Sequence, residues 1–427
     1  MAAFSQQRCG GREPCNRVPS AYKGGAFFPR TPDMFETLQK ATLDKIFVLM
    51  AEYAADPRTN KIDLGVGVYK DAKNNTPIMS AVTKAEQRMH DAAKTKTYKG
   101  VVGNKEFSAG VVKLVFNGQI DESRVRCVNG PGGTGALSIL LNVIARARKG
   151  GRILISDPSW PNHWPMAELV GLKPEYYPYF DTKTRGVDFD GMLKALDSLG
   201  PDDTVLLHAC CHNPTGANLT PAQWDQVAAS LQKTGAFPLV DLAYLGFGDG
   251  LEADGYGVRK IVSSVPESMV AFSASKNFGL YRERAGVAIA IARDAASADI
   301  VSSQMQNVIR ATISQPPDHG AEIVRIILED PELTAEWKAE LEDMRTRMIR
   351  LREKLAAAIR ERSNSTDYDF IAQHRGMFSL LGLPTEVVEK LKLEDGVYMI
   401  NDSRINVAGI PEDRVGELAD ALLEATR

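Results

Sequence analysis

The stretch Met269-Val270-Ala271-Phe272-Ser273-Ala274-Ser275-Lys276-Asn277-Phe278-Gly279-Leu280-Tyr281-Arg282-Glu283-Arg284 decides how the rest of the chain is read. Its first four residues form an apolar run of the kind that makes a buried strand. A lysine is ordinarily a solvated surface group. Lys276 instead follows directly on that strand, beside two serines and a pair of arginines, with Glu283 the only nearby acid. Low-dielectric walls and cationic neighbours favour loss of a lysine's proton, which frees the amine to condense with a carbonyl. Ser273, Ser275 and Arg284 suit an oxyanion such as phosphate.

Working outward, the pattern alternates. Residues 80–93 and 104–117 carry apolar positions at helical spacing, and Gly132-Gly133-Thr134-Gly135 opens a helical stretch to Ala147. Short apolar runs follow at Ile153–Ile155, Val205–Leu207, Phe237–Val240, Met269–Phe272 and Val287–Ile291. Thr220-Pro221 supplies an N-cap and a first helical residue. Strands of this length between helices predict an α/β fold: a mostly parallel sheet covered by helices on both faces. After Pro331 the character changes to a charge-rich amphipathic helix over 335–361, then short strands and a final helix, which predicts a smaller α+β domain. The expected division is an N-terminal extension at 1–33, disordered and poor in acids, an arm and part of the small domain at 34–76, a large domain at 77–344, and the small C-terminal domain at 345–427.

Bulk properties narrow the function. At 427 residues the chain is long enough for one large and one smaller domain, and 44% hydrophobic with 25% charged residues is ordinary for a globular protein. A net charge of -3 gives no electrostatic case for nucleic acid. No apolar run approaches the roughly 20 residues needed to span a bilayer. The five cysteines are Cys9, Cys15, Cys127, Cys210 and Cys211, with no CxxC metal site, and they read as reduced thiols of a cytoplasmic protein. Organelle import through residues 1–33 is the alternative.

In an open parallel sheet, ligands bind beyond the carboxyl ends of the strands. Asp241, Asn213, the segment Asp157–His163 and Lys276 all follow apolar runs there. The glycine cluster at 132–135 is either a plain turn or a phosphate site on free helix N–H groups. Asp241 either caps a helix or holds a proton on a pyridine nitrogen, with Tyr244 three residues on. Trp160 offers a ring face, and His163 is either a core histidine or a partner that orients Asp241. Arg404 and Arg310 are structural arginines or planar forks that grip carboxylates. An activated amine beside a phosphate site points to a Schiff-base cofactor, with pyridoxal phosphate the first candidate.

With these residues assembled, the chain from Met34 onward resembles the aspartate/aromatic (tyrosine) aminotransferases of the class I pyridoxal-phosphate-dependent family. The likeness is carried by the Lys276 segment, His212-Asn213-Pro214-Thr215-Gly216, Asp241-Leu242-Ala243-Tyr244, Ser159-Trp160-Pro161-Asn162-His163, and Ile62–Asp71 with Cys210-Cys211-His212. The resemblance implies fold type I. It also implies a ping-pong transfer of an amino group from an aromatic amino acid or aspartate to 2-oxoglutarate, with Lys276 forming the cofactor aldimine. By the same resemblance Asp241 pairs with the pyridine nitrogen, Asn213 and Tyr244 with the phenolic oxygen, and Trp160 stacks on the ring. Gly133, Thr134, Ser273, Ser275 and Arg284 hold the phosphate, Arg404 the α-carboxylate, and Gly67 lies beside the substrate. A homodimer is implied, in which Tyr98 reaches the phosphate and Arg310 the side-chain carboxylate of the neighbouring subunit.

Two positions depart from the aspartate-specific pattern: Thr97 and Gln315, where those enzymes commonly carry asparagine. Both are expected near the hydrogen bonds of Arg310, and they favour a dual aromatic/aspartate enzyme over a strict aspartate aminotransferase. A lyase or decarboxylase on the same fold, or a non-catalytic cofactor-binding protein, are the more remote alternatives.

Overall fold

The structure, a computed structural model, describes residues 35–40 and 45–427. The extension expected at 1–33, with Cys9 and Cys15, lies outside the described residues. Asp44–Arg427 pack as one unit.

A seven-stranded sheet runs through it in the spatial order Val125–Pro131, Ala285–Ile291, Ser268–Ser273, Phe237–Leu242, Thr204–His208, Arg152–Asp157 and Lys173–Pro178. The last five are parallel to their neighbours within the group. Ala285–Ile291 runs antiparallel to both strands beside it. The inner strands are unbroken apolar runs because helices cover both faces, which removes the polar alternation of a half-exposed strand. The two outermost strands escape a periodicity search. Arg126 and Asn129 interrupt the first, and the last reads Lys-Pro-Glu-Tyr-Tyr-Pro and is largely exposed. Charge and proline are normal at a sheet edge, where a free rim must be kept from pairing with other chains.

The expected helix starts are found where the capping residues stand. Pro221–Thr234 begins with Thr220 Oγ1 accepting from the Gln223 N–H at 3.3 Å, while Gln223 Oε1 accepts from the Thr220 N–H at 2.8 Å. It ends at Gly235, whose φ of 72° is the left-handed conformation glycine tolerates best. The long helix spans Pro331–Ser363, somewhat beyond the predicted 335–361, because Asp330 caps two N–H groups at its start.

This helix crosses two cores. Leu333, Trp337, Leu341, Met344 and Met348 join the core beneath the large sheet. Leu351, Leu355, Ala356 and Ile359 join a second core with Ile62, Leu64, Phe370, Ile405 and Leu422. Around the second core lie two small sheets: Ile62–Asp63 pairs with Val397–Tyr398, and Phe378–Leu380 with Arg404–Asn406. No helix among the described residues is long and apolar enough to cross a membrane.

Trp337 is fully buried, stacks on Phe278 with ring centroids 4.4 Å apart, and donates its indole N–H to Asn277 O at 2.7 Å. It thereby fixes the loop just after Lys276. Trp337→Ala is expected to lower unfolding free energy by about 3–5 kcal/mol, read by chemical denaturation, and a change below about 1 kcal/mol would contradict this packing role.

Candidate active site

The carboxyl ends of the parallel strands open on one cavity. Gly133, Thr134, Trp160, Asn213, Asp241, Tyr244, Ser273, Ser275, Lys276 and Arg284 all line it, with Leu137, His208, Cys210 and Ala243. Asp241, Asn213, Trp160 and Lys276 come from strand ends, and Gly133 and Thr134 from a helix start, as the sequence pattern predicts.

Asp241 lies near the end of Phe237–Leu242, and its side chain is buried. His163 Nε2 sits 2.9 Å from its Oδ2, so His163 does orient this carboxylate. A chain of contacts continues behind: Ser159 Oγ is 2.9 Å from His163 Nδ1 and 3.2 Å from His208 Nε2. Burial works against the Asp241 charge, but the His163 hydrogen bond, helped by Lys276, outweighs it and lowers its pKa. The second oxygen, Oδ1, is buried and has no hydrogen-bond partner among the described residues. Leaving such an atom unsatisfied costs about 1–3 kcal/mol, more when it is charged. A donor brought by a bound molecule would satisfy it, and the protonated nitrogen of a pyridine ring is such a donor. Pyridoxal phosphate therefore fits this end of the cavity.

Lys276 opens onto the same cavity. Burial lowers its pKa to about 8, Asp241 opposes that shift, and Arg284 and Arg404 reinforce it. Its Nζ is 5.3 Å from the centre of the Tyr244 ring. Burial raises the Tyr244 pKa, so that hydroxyl stays protonated and able to donate.

The oxyanion end is built from three kinds of donor. Gly132 adopts φ 72° at the start of the helix Gly132–Ala147, where unpaired backbone N–H groups favour an anion. A Cβ on Gly132 would stand 2.5 Å from Arg284 Nη2, and one on Gly133 2.9 Å from Ser273 Cβ, so only glycine permits this approach. Ser273 Oγ is 3.1 Å from Ser275 Oγ, and Arg284 Nη1 3.4 Å from Ser275 Oγ. Arg284 itself holds φ 55°, an uncommon conformation for a branched-out side chain and one that aims its guanidinium into the cradle.

Arg404 is buried, 3% exposed, on the strand Arg404–Asn406. Its Nη1 donates to Asn213 Oδ1 at 3.2 Å and its Nη2 to Gly65 O at 3.3 Å, and its guanidinium lies 4.3 Å from the centre of the Phe378 ring. Gly67 is also against Phe378: an added Cβ would meet the ring at 3.2 Å.

Tyr98 and Arg310 are not in this cavity. Tyr98 is 88% exposed, and Arg310, also exposed, donates to Ser314 Oγ at 2.7 Å. They belong to neighbouring stretches of one surface, since the Gly100 N–H donates to Gln315 Oε1 at 3.3 Å. The expected tie between Arg310 and residues 97 and 315 differs within one chain. The turn at Ser314, φ 66°, brings that serine to Arg310, while Gln315 reaches Gly100 and the Thr97 N–H reaches Thr95 Oγ1.

The sequence reading missed His208 and Phe378. His208 pairs in register with Asp241 across adjacent parallel strands, so the strand-end rule that found Asp241 could have found it. Burial lowers its pKa to about 3, leaving it neutral. Phe378 carries no local signal, as its role depends on packing with Arg404.

In the cofactor-free protein an amine-acylating reagent is expected to label Lys276 with a midpoint near pH 8, against 10.5 for an ordinary lysine. Asp241 favours the charged amine, so Asp241→Asn is expected to move that midpoint down. Peptide mass mapping across pH reads both, and a wild-type midpoint near the ordinary value would contradict the site electrostatics.

Comparison with known proteins agrees with this geometry. Residues 59–422 match the family described as aminotransferase class I and II. The chain is 50% identical over 391 residues to an aromatic-amino-acid aminotransferase of Paracoccus denitrificans, covering 92% of this chain and 99% of that protein. It is 41% identical over 393 residues to the aspartate aminotransferase of Escherichia coli, covering 91% and 99%. The solved aromatic-amino-acid aminotransferase of Burkholderia pseudomallei, covalently bound to pyridoxal phosphate, superposes with a TM-score of 0.90 at 38% identity, covering 92% of this chain and 100% of that one. An activated lysine, a half-satisfied aspartate and an oxyanion cradle at one sheet edge, on a chain matched almost end to end, establish that it belongs to the class I pyridoxal-phosphate-dependent aminotransferases.

Proposed function

We propose that the protein moves the amino group of an aromatic amino acid or of aspartate to 2-oxoglutarate, working as a cytoplasmic homodimer. The observation that carries the site assignment is Asp241, with one oxygen held by His163 and the other buried without a donor among the described residues. Bound pyridoxal phosphate supplies the carbonyl that receives the amino group and the electron-accepting ring that lets a Cα proton leave.

The chain's own groups supply the rest. Asp241 Oδ1 would hold a proton on the ring nitrogen, and Trp160 would cover the ring. Asn213 Nδ2 and the Tyr244 hydroxyl would donate to the phenolic oxygen. Gly133, Thr134, Ser273, Ser275 and Arg284 would hold the phosphate. With a pKa of about 8, Lys276 Nζ is poised near neutrality both to take the substrate Cα proton and to return it. Arg404 grips the α-carboxylate, with Asn213 alongside and Gly67 near the substrate. Gripping the carboxylate fixes which Cα bond faces Lys276.

The assignment of Tyr98 and Arg310 to the neighbouring subunit is supported by their exposure and their shared surface. In a pair of chains Tyr98 would reach the partner's phosphate and Arg310 the side-chain carboxylate of its substrate. An arginine awaiting a carboxylate should reject an aromatic ring, because its charge would be left buried and unpaired. An Arg310 that turns outward to water when a ring enters removes the conflict. The proposed chain division at 34–76, 77–344 and 345–427 is supported by the second core, which joins Ile62 and Leu64 to residues from Leu351 to Ala425, while Tyr69, Met348, Met377, Phe378 and Ala408 pack into the first. Free thiols at Cys127, Cys210 and Cys211 suit a reducing compartment.

Single-turnover half-reactions with aspartate and with tyrosine, following the visible cofactor band, test this directly. Both amino acids are expected to discharge the band at similar efficiency. Arg310→Ala is expected to cost aspartate about 2–5 kcal/mol and tyrosine far less. Discharge by aspartate alone would make it a strict aspartate aminotransferase, and equal losses in the variant would contradict the outward-turning arginine.

A further inference from the structure

We propose that Arg347 and Arg352, neither of which contacts the cavity, are positioning residues for the substrate carboxylate, holding the two chain segments that wall Arg404. Both lie on the helix Pro331–Ser363 and both are buried, Arg352 completely. They bracket the place where that helix passes from one core to the other, between Met348 and Leu351. Neither has a carboxylate within ion-pair distance among the described residues. A buried cation without a counter-charge is costly to keep, so its hydrogen bonds must compensate.

Those bonds go chiefly to the segments around Phe378 and Lys70, with a further one to Ala408. Arg352 Nη1 donates to Ser379 Oγ at 2.6 Å and to Ile371 O at 3.1 Å. Its Nη2 donates to Phe378 O at 2.6 Å and Gly376 O at 2.8 Å. Arg347 Nη1 donates to Lys70 O at 2.9 Å and Ala408 O at 3.3 Å. The first segment carries the Phe378 ring that faces the Arg404 guanidinium. The second continues from Gly65, whose carbonyl accepts from Arg404, and Asn406 beyond Arg404 donates to Val66 O and Val68 O. Burial lowers the Arg352 pKa to about 9, which still leaves it charged at neutral pH. Each planar fork thus spans several carbonyls at once, and a lysine ammonium cannot reproduce that. Displacing either wall would shift Arg404 by fractions of an ångström, enough to spoil a two-point grip on a carboxylate.

The inference rests on Arg404 binding the α-carboxylate, so its test separates the two claims. Holoenzyme variants Arg352→Lys, Arg347→Lys and Arg404→Ala would be titrated with 3-phenylpropionate, a carboxylate without a reactive amine, by calorimetry. KM and kcat for aspartate and tyrosine, cofactor retention and melting temperature would be measured alongside. Both lysine variants are expected to raise the probe Kd and the KM of both amino acids about tenfold, with kcat and cofactor retention nearly unchanged. A merely structural role would instead lower melting temperature and cofactor retention while leaving Kd of the folded fraction intact, and that result overturns the proposal. Loss of binding in Arg404→Ala with wild-type binding in both lysine variants also overturns it, while the carboxylate assignment stands. Wild-type binding in Arg404→Ala refutes the assignment itself. Should the lysine variants not fold, Ser379→Ala decides: removing that single acceptor is expected to weaken the probe roughly three- to tenfold, and an unchanged Kd overturns the proposal.

Discussion

The contact between His163 Nε2 and Asp241 Oδ2, 2.9 Å long and fully enclosed, organises the whole edge of the sheet. A carboxylate at the end of a central strand cannot remain charged in a low-dielectric wall unless something holds it. His163 holds one oxygen, and Ser159 and His208 stand behind it. The other oxygen is left facing a cavity in which Lys276 is the opposing amine. Charge, burial and an unspent acceptor therefore converge at one point, and the glycine turn and serine cluster fix a second point for an anion. Two fixed points define where a ring bearing both a protonated nitrogen and a phosphate must lie.

The strands that build this edge were legible because helices bury both of their faces, and unbroken runs such as Val205–Leu207 and Met269–Phe272 follow from that burial. The site residues were legible for a related reason. Polar groups that directly follow such runs, as Asp241 and Lys276 do, lie at the carboxyl edge of a parallel sheet, and the family likeness assigned each its role. The edge strands were not legible: Arg126 and the buried, hydrogen-bonded Asn129 break the apolar run of Val125–Pro131, and solvent permits charge and proline in Lys173–Pro178. Neither were Phe378, Arg347 and Arg352. Their significance lies in contacts across 19 to 277 residues of chain, and no local pattern encodes these.

A single chain also leaves one part of the chemistry outside. Its cavity is lined by Asp241, Lys276 and the serine, glycine and arginine groups of the oxyanion cradle, and Arg404 stands behind the lining residue Asn213. Arg310, expected to meet a second carboxylate, and Tyr98, expected to reach a phosphate, stand exposed on another surface. Separating the two has a physical advantage for a site that must take both a ring and a carboxylate. An arginine delivered from a surface has water available to it, whereas one built into the core, like Arg404, cannot withdraw. Arg404 and Arg310 thus lie in different environments, one buried and one exposed.

The most direct measurement is the protonation state of the ring nitrogen in the assembled protein. Reconstitution with pyridoxal phosphate labelled with 15N in the ring would allow that state to be read by NMR near neutral pH. A protonated pyridine shift that moves to the neutral range in Asp241→Asn is expected if the free oxygen of Asp241 holds that proton. An unprotonated nitrogen in the wild-type protein, or a shift indifferent to Asp241, would contradict the role given to that oxygen and with it the placement of the cofactor.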